Sequence, residues 1–508
     1  MKKIRIIRLM VMLFAIHFSL FTISAQTLNV KTGNVIYQFP ATQTGDMNYT
    51  DGTSLTVMGK TFSLSDIDAM TIDDTEVKDN AVSISYDGTT ATITMAGNVA
   101  QYVTPVISGA HVAIEQTNTT DIDGDEITYT LSGTSADGEF SLSGSYKCTV
   151  ALAGVNLTNP SGAAINIDNG KRIQISAKKN TVNTLTDGAN GSQKGCIYSK
   201  GQIQLQGNGT LNVVGKTKHA IKSGDYISVK NLTLNITAAV KDGISCNEYF
   251  LMESGSVNIS GVGDEGIQCE LDGDASTGET TDHEDEDSGN IYIEGGSISV
   301  STSGEGIESK GELFITGGEV TVNAKDDAIN SASHMTVSGG LVYAHSTGND
   351  GLDANGNMYV KGGLVYAICS GTPEVALDAN TEHNFKLYVE GGTIIALGGL
   401  ENGSSLTQSC YQASSWNKNT WYAMTVGNET IAFKTPSSGG NGLVVSGASQ
   451  PELTSGVTVN GGTSIFSGVA YTDAEVSGGS TVSLSSYTGG NGGPGGGGGP
   501  GGGGGWHW

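Results

Sequence analysis

A line of ionisable side chains recurs at one position of a repeating pattern: His219, Asp242, Glu265, Glu305, Asp327 and Asp350. Each stands two residues before an aliphatic residue: Ile221, Ile244, Ile267, Ile307, Ile329 and Leu352. One residue after the aliphatic come Lys222, Ser245, Gln268, Glu308, Asn330, Asp353 and, in a further copy, Asp378. Asp264, Asp326 and Asn349 precede the first set by one position. Carboxylates repeated roughly every 5 Å repel one another unless they are protonated or neutralised. A hard divalent cation with oxygen ligands resolves that repulsion, and Ca2+ accepts carboxylates and backbone carbonyls together. The candidate metal ligands are therefore Asp242, Asp264, Glu265, Glu305, Glu308, Asp326, Asp327, Asn349, Asp350 and Asp353. The plainer reading is that D-G and E-G simply make good turns on an acidic protein, although turns do not require acids in the second column. Both columns are expected to face solvent near one corner.

Upstream the same corner changes sign. Lys194, Lys200, Lys216, Lys218, Lys222 and Lys241 crowd the copies before the acidic column. They could contact the carboxylates of uronic-acid sugars or merely pair with Asp and Glu; Lys218, Lys222 and Lys241 are the candidate carbohydrate contacts. Trp416 and Trp421 stand near Tyr411 and Tyr422. Their rings could stack on sugars or plug the end of a core. The stretch from Asp272 to Asn290 carries eight acids and His283. Such a charge run reads as a solvated loop or a loose cation trap.

These side chains are placed by a repeat. DGISCN, EGIQCE, EGIESK, DAINSA, DGLDAN and VALDAN have central aliphatics separated by 23, 40, 22, 23 and 25 residues. The long interval holds the acidic stretch, so the period of about 23 survives with one loop inserted. Weaker copies precede at Ile165, Ile197 and Ile221. A second signature follows in each period: YIEGGSISV, FITGGEVTV, TVSGGLVYA, YVKGGLVYA and YVEGGTIIA. Alternation marks strands with one buried face, and the glycine pair supplies the corner between them. The period is too short for a propeller blade, and the glycine content excludes a helical solenoid. The pattern predicts an all-β, right-handed parallel β-helix, with small residues such as Ser223, Cys246, Cys269 and Ser309 stacked inside a tight corner.

The rest of the chain is expected to serve this solenoid. Residues 1–25 read as a signal peptide, with Lys2, Lys3, Arg5 and Arg8 before an apolar run. No later stretch could span a membrane, so a secreted or cell-surface location follows. The formal charge of −26 becomes −30 once those four basic residues are removed, which disfavours nucleic acid and favours metal cations. Residues 26–105 read as an N-terminal β-module or cap with a hairpin at Asp87-Gly88. Residues 106–440 read as the β-helix, 441–488 as a C-terminal β-cap and 489–508 as a disordered Gly-rich tail. A monomer is expected.

GTSADGEFSLSG, VALAGVNLTNPSGAAINI, NTVNTLTDG and the serial DGI/EGI…GG copies resemble the bacterial carbohydrate-binding β-helix family with a polysaccharide-lyase-like fold. The resemblance covers roughly residues 80 to 400. It implies an extracellular β-helix that binds Ca2+ and recognises plant polysaccharide, especially acidic pectin-type chains. The metal role carries over to Asp242, Glu265, Glu305, Asp327 and Asp350. His219 and Val375 depart from the acidic pattern at its ends. A calcium-dependent pectate-lyase-like enzyme is the rival. Such enzymes commonly use Arg or Lys as the base, and beyond the leader the only arginine is Arg172, in an early coil. Polygalacturonase motifs (G-H-G, R-x-K) are absent, while Lys241 and Lys310 could still serve as a base. The chain thus reads as a binder with no catalytic residues, and a structural surface adhesin would share every feature of the fold.

Overall fold

The computed structural model describes residues 26–271 and 288–489. Residues 1–25, expected to be a signal peptide, the acidic segment 272–287 and the Gly-rich stretch from 490 lie outside the described residues. The chain is nearly all β, with a β-solenoid of about 11 turns. It divides into two compact units, Met1–Ser333 and His334–Trp508.

In the first unit, Thr27–Thr32 pairs antiparallel with Val35–Pro40 and with Ala69–Asp73. Ala81–Asp87 and Thr90–Ala96 form the hairpin expected at Asp87-Gly88. Ala81–Asp87 then lies parallel to Ile127–Ser135, which starts the parallel stacking. From there each coil contributes three short strands. Ile244–Cys246, Tyr249–Met252 and Gly255–Val262 pair in parallel with Ile267–Cys269, Asn290–Ile293 and Ser297–Thr302 of the next coil. Those pair in turn with Ile307–Ser309, Leu313–Ile315 and Glu319–Ala324. Ile244, Ile267, Ile307 and Ile329 stack in register and are fully buried. The repeat exists because stacking brings the same side chain to the same neighbours every coil.

Both glycines of the corner are needed, for different reasons. Gly318 has φ +78°, where a side chain is strained. Gly317 is not in that region, but a Cβ on it would lie 2.2 Å from the Glu294 carbonyl oxygen one coil earlier. The small-residue ladder does more than fit a tight corner. Ser309 Oγ lies within donating reach of the carbonyls of Gly289 (2.8 Å) and Glu312 (2.9 Å), and Ser223 Oγ of those of Gly201 (2.9 Å) and Tyr226 (3.1 Å), each hydroxyl donating to one of its pair at a time. The carbonyls of Gly289, Glu312 and Tyr226 also accept a backbone N–H, so the hydroxyl offers a second donor at the turn. At Cys246 the thiol does the same toward Tyr249, and all six cysteines are free and buried.

In the second unit, Leu352–Ala354, Met358–Val360 and Leu364–Ile368 pair in parallel with Leu377–Ala379, Leu387–Val389 and Thr393–Leu397. Leu443–Ser446 runs antiparallel to Thr393–Leu397 and ends the parallel order. Trp421–Val426, Glu429–Lys434, Glu452–Ile465 and Ala470–Val482 close into a barrel. Its Tyr422, Phe433, Leu453 and Phe466 pack with Tyr343, Tyr366, Ile368, Ile395 and Leu397 of the coils. The barrel draws strands from both sides of residue 440, because this shared core, rather than sequence order, groups them.

Candidate functional site

The strand that carries the repeated aliphatic residue sets the site. Its aliphatic residue points inward, so the next residue faces away from the core. In the first unit this places Lys222, Ser245, Gln268, Glu308 and Asn330 in one in-register column. A cleft of about 390 Å³ opens over it, lined by Lys194, Lys218, His219, Lys222, Lys241, Asp242, Ser245, Asn247, Asp264, Glu265, Gln268, Glu270 and Leu271. The three lysines expected to meet sugar and three of the acids expected to hold metal therefore line one cavity.

The lysines are not equivalent. Lys241 reaches Asp264 at 3.6 Å, with both side chains half exposed. Lys222 donates to Ser245 Oγ (3.2 Å) and to Asn247 Oδ1, both uncharged acceptors. Burial lowers its pKa, against the opposing pull of Cys246, Glu270 and Asp242. It is a desolvated cation held in place by neutral groups.

The acids depart from expectation in one respect. The first column does not face solvent throughout: Asp242 and Asp327 are buried, and in the second unit so is Asp350. The carboxylates turn back into the corner, where protein groups meet them. Asp242 Oδ2 lies 2.9 Å from His219 Nδ1, both side chains buried. That contact is a close approach rather than a well-aligned hydrogen bond, since neither atom has a hydrogen-bond partner of good geometry. Burial would raise the pKa of Asp242, but His219 holds it below the usual carboxylate range. Glu265 takes the opposite course: burial, then the charge of Asp242, push it up to about 9.

Two triads of oxygen donors result. One ligand atom each of Asp242, Asp264 and Glu265 lie within 4.8 Å of one another, and so do those of Glu265, Glu305 and Glu308. Burial, then Glu308 and Asp327, push Glu305 up to about 8. Its Oε2 is buried without a hydrogen-bond partner. Glu308 accepts from Gln268 Nε2 at 2.7 Å and pairs with Lys310. Oxygen-only donors, too close to stay charged together, suit a hard cation.

The remaining candidates lie elsewhere. Asp326 is exposed, and Asn330 Nδ2 donates to Asp327 Oδ2 at 3.3 Å. In the second unit Asp350 Oδ1 accepts from the Val375 amide at 2.6 Å, and Asn349 is half-buried. Asp353 is pushed up to about 6 by burial, although its hydrogen bond with Asp378 works the other way. Burial, then the hydrogen bond to and charge of Glu401, push Asp378 up to about 10. Glu401 was not expected in this ladder. Its signal is the 23-residue step from Leu377 to Leu400, which do pair in parallel. Trp416 packs on the cap core and donates from Nε1 to the Gly440 carbonyl at 3.1 Å. Trp421 packs at a tilt on Tyr471, with ring centroids 5.7 Å apart. Asn247 and Glu270 are cleft residues that periodicity alone did not single out.

The chain is thus a parallel β-solenoid with a charged cleft on one face. A family model for carbohydrate-binding domain-containing proteins matches residues 108–370 and 301–468, and the chain belongs to that family. A carbohydrate-binding domain-containing protein of Acetivibrio thermocellus is 29% identical over 111 residues, 20% of this chain. The match spans 39% of that relative's length. Among solved structures, the polysaccharide lyase-like protein from C. thermocellum, determined as a gadolinium derivative, superposes with a TM-score of 0.37 at 21% identity, over 56% of this chain and 93% of that one.

Proposed function

We propose that the protein is a secreted or cell-surface, calcium-dependent binder of acidic, pectin-type polysaccharide, acting through the cleft at Lys222. The observation that carries the reading is Lys222 itself. A cation in a strongly acidic protein is half-buried and hydrogen-bonds to neutral acceptors, a few residues from a carboxylate triad. Partial burial of a charge beside neutral groups is costly, and an anionic ligand offsets that cost. A sugar carboxylate would do so. Asp242, Asp264 and Glu265 would hold Ca2+, with Glu305 and Glu308 as a second set sharing Glu265. The ion would supply positive charge opposite the ligand's carboxylates. The family supplies the carbohydrate, and the donor chemistry supplies the cation and the acidic character. The test is binding to polygalacturonate in calcium and in EDTA. Equal binding in both would end the calcium-dependent reading.

A second reading, a lyase, is favoured by the same residue. Burial lowers the pKa of Lys222 toward the range in which an amine can act as a base. Following the ultraviolet absorbance of unsaturated products in the same mixtures separates the two. Accumulation of product would make this an enzyme, and its absence at saturating binding would leave a binder.

A further inference from the structure

The column that carries Lys222 does not begin there. In register, Ala113 pairs with Ser141, Ser141 with Asn166, Asn166 with Tyr198 and Tyr198 with Lys222. One column over, Glu115, Ser143 and Asp168 are likewise in register. These two columns, with Thr104 and Val106 at the edge, line a second groove of about 250 Å³. The groove and the charged cleft are thus two stretches of one track on one sheet face, with Tyr198 between them. From Ala113 to Gln268 the track spans roughly 29 Å at about 4.8 Å per strand. One strand step is comparable with the length that a single pyranose adds to an extended chain.

The chemistry of the two stretches differs. The cleft is crowded with lysines, whereas the groove offers Ala113, Ser141, Ser143 and Asn166 between the carboxylates Glu115 and Asp168. Of its acids, Asp168 has a cation beside it, Lys200 at 4.0 Å. An anionic sugar would be repelled there, while a neutral one finds hydroxyl and amide partners and a small apolar floor. Tyr198 is half-buried on this face, with Lys194 Nζ 5.6 Å from its ring centroid. It differs from Tyr292 and Phe314, whose rings stack face to face at 5.4 Å and cover one another.

We propose that the groove is a second subsite for uncharged sugar units of the same glycan whose acidic units occupy the cleft, with Tyr198 stacking on the unit between them. The ligand class is a partly esterified or otherwise mixed uronan rather than a fully acidic one. This rests on the cleft being a uronate site. The test compares a short galacturonate oligomer with a long, half-methyl-esterified polygalacturonate on four proteins: wild type, Ala113→Trp, Tyr198→Ala and Lys222→Gln. Ala113 is exposed on a strand, a position that accepts an aromatic side chain, so Ala113→Trp fills the groove without disturbing the core. Ala113→Trp and Tyr198→Ala are expected to weaken the esterified polymer about tenfold or more, and to leave the short oligomer unchanged. Lys222→Gln is expected to weaken both. If Ala113→Trp and Tyr198→Ala bind both ligands like wild type, the groove assignment is overturned while the cleft stands. If wild type binds neither ligand in calcium, the uronate reading fails and takes the groove with it.

Discussion

His219 Nδ1 lies 2.9 Å from Asp242 Oδ2, at the point where the lysine-rich coils give way to the acidic ones. The histidine replaces the acid of the repeat at this rung and is the neighbour that pulls the pKa of Asp242 down against its burial. His219→Ala leaves a buried carboxylate without its partner. A loss of about 1–3 kcal/mol is expected in EDTA by urea unfolding, and a smaller loss in calcium. Equal losses in both conditions would show that no cation compensates Asp242.

Calcium is expected to raise the melting temperature and EDTA to lower it. At a hundredfold excess over Kd the stabilisation is about 2.7 kcal/mol per site. Asp264→Asn with Glu265→Gln should remove most of the response, because Glu265 belongs to both triads. Sodium chloride at matched ionic strength should not reproduce it; if it does in full, the acids are only a repelling surface.

Lys222→Gln keeps donors toward Ser245 and Asn247 but removes the charge. Thermal stability should hold or rise slightly, since burial opposes the ammonium ion. Affinity for a galacturonate oligomer should fall by about 1.5–3 kcal/mol, read by calorimetry. Unchanged affinity would move the ligand's carboxylate elsewhere.

The acid ladder of the second unit sets a pH dependence. Asp378 is pushed up to about 10 by burial and then by Glu401, so the folded chain keeps a proton that the unfolded chain has lost. That contribution is fully present below about pH 4, the ordinary aspartate value, and is lost as pH rises toward 10. In EDTA, stability should therefore fall with rising pH across this window. Asp378→Asn, which mimics the protonated form, should flatten the fall. A variant with the parent's slope would show that Asp378 is ionised in the folded chain.

Gly317→Ala places a methyl group against the Glu294 carbonyl of the preceding coil, and a loss of about 2–4 kcal/mol is expected by urea unfolding. Gly170→Ala, at a position with open space around its Cβ, should stay within about 0.5 kcal/mol. Similar values for both would mean that the corner gives way.

The solenoid was legible because stacking makes each position answer to the same neighbours, so Ile244, Ile267, Ile307 and Ile329 announce themselves by spacing. The lysines and acids of the cleft were legible for the same reason. The burial of Asp242 and Asp327 was not, since residue type alone sends a carboxylate to solvent and only the fold supplies His219 or Asn330 as partner. The cap was half legible: Trp416 suggested a plug, but a barrel joining Trp421–Val426 to Glu452–Ile465 and Glu429–Lys434 to Ala470–Val482 rests on pairing across some 30 to 40 residues with no period to reveal it. Lys222 stood out by its column, whereas its neutral hydrogen-bond partners Ser245 and Asn247 are a property of distances.

The strand Leu443–Ser446 has a meaning beyond closing a core. Parallel coils are self-templating: the open edge of one is the mould for an identical next, which is how fibres grow. By running antiparallel along Thr393–Leu397, this strand takes up those amide and carbonyl groups in the wrong direction for another coil. The sequence that counts out the repeats also carries, some 45 residues later, the stop that keeps this edge from counting on.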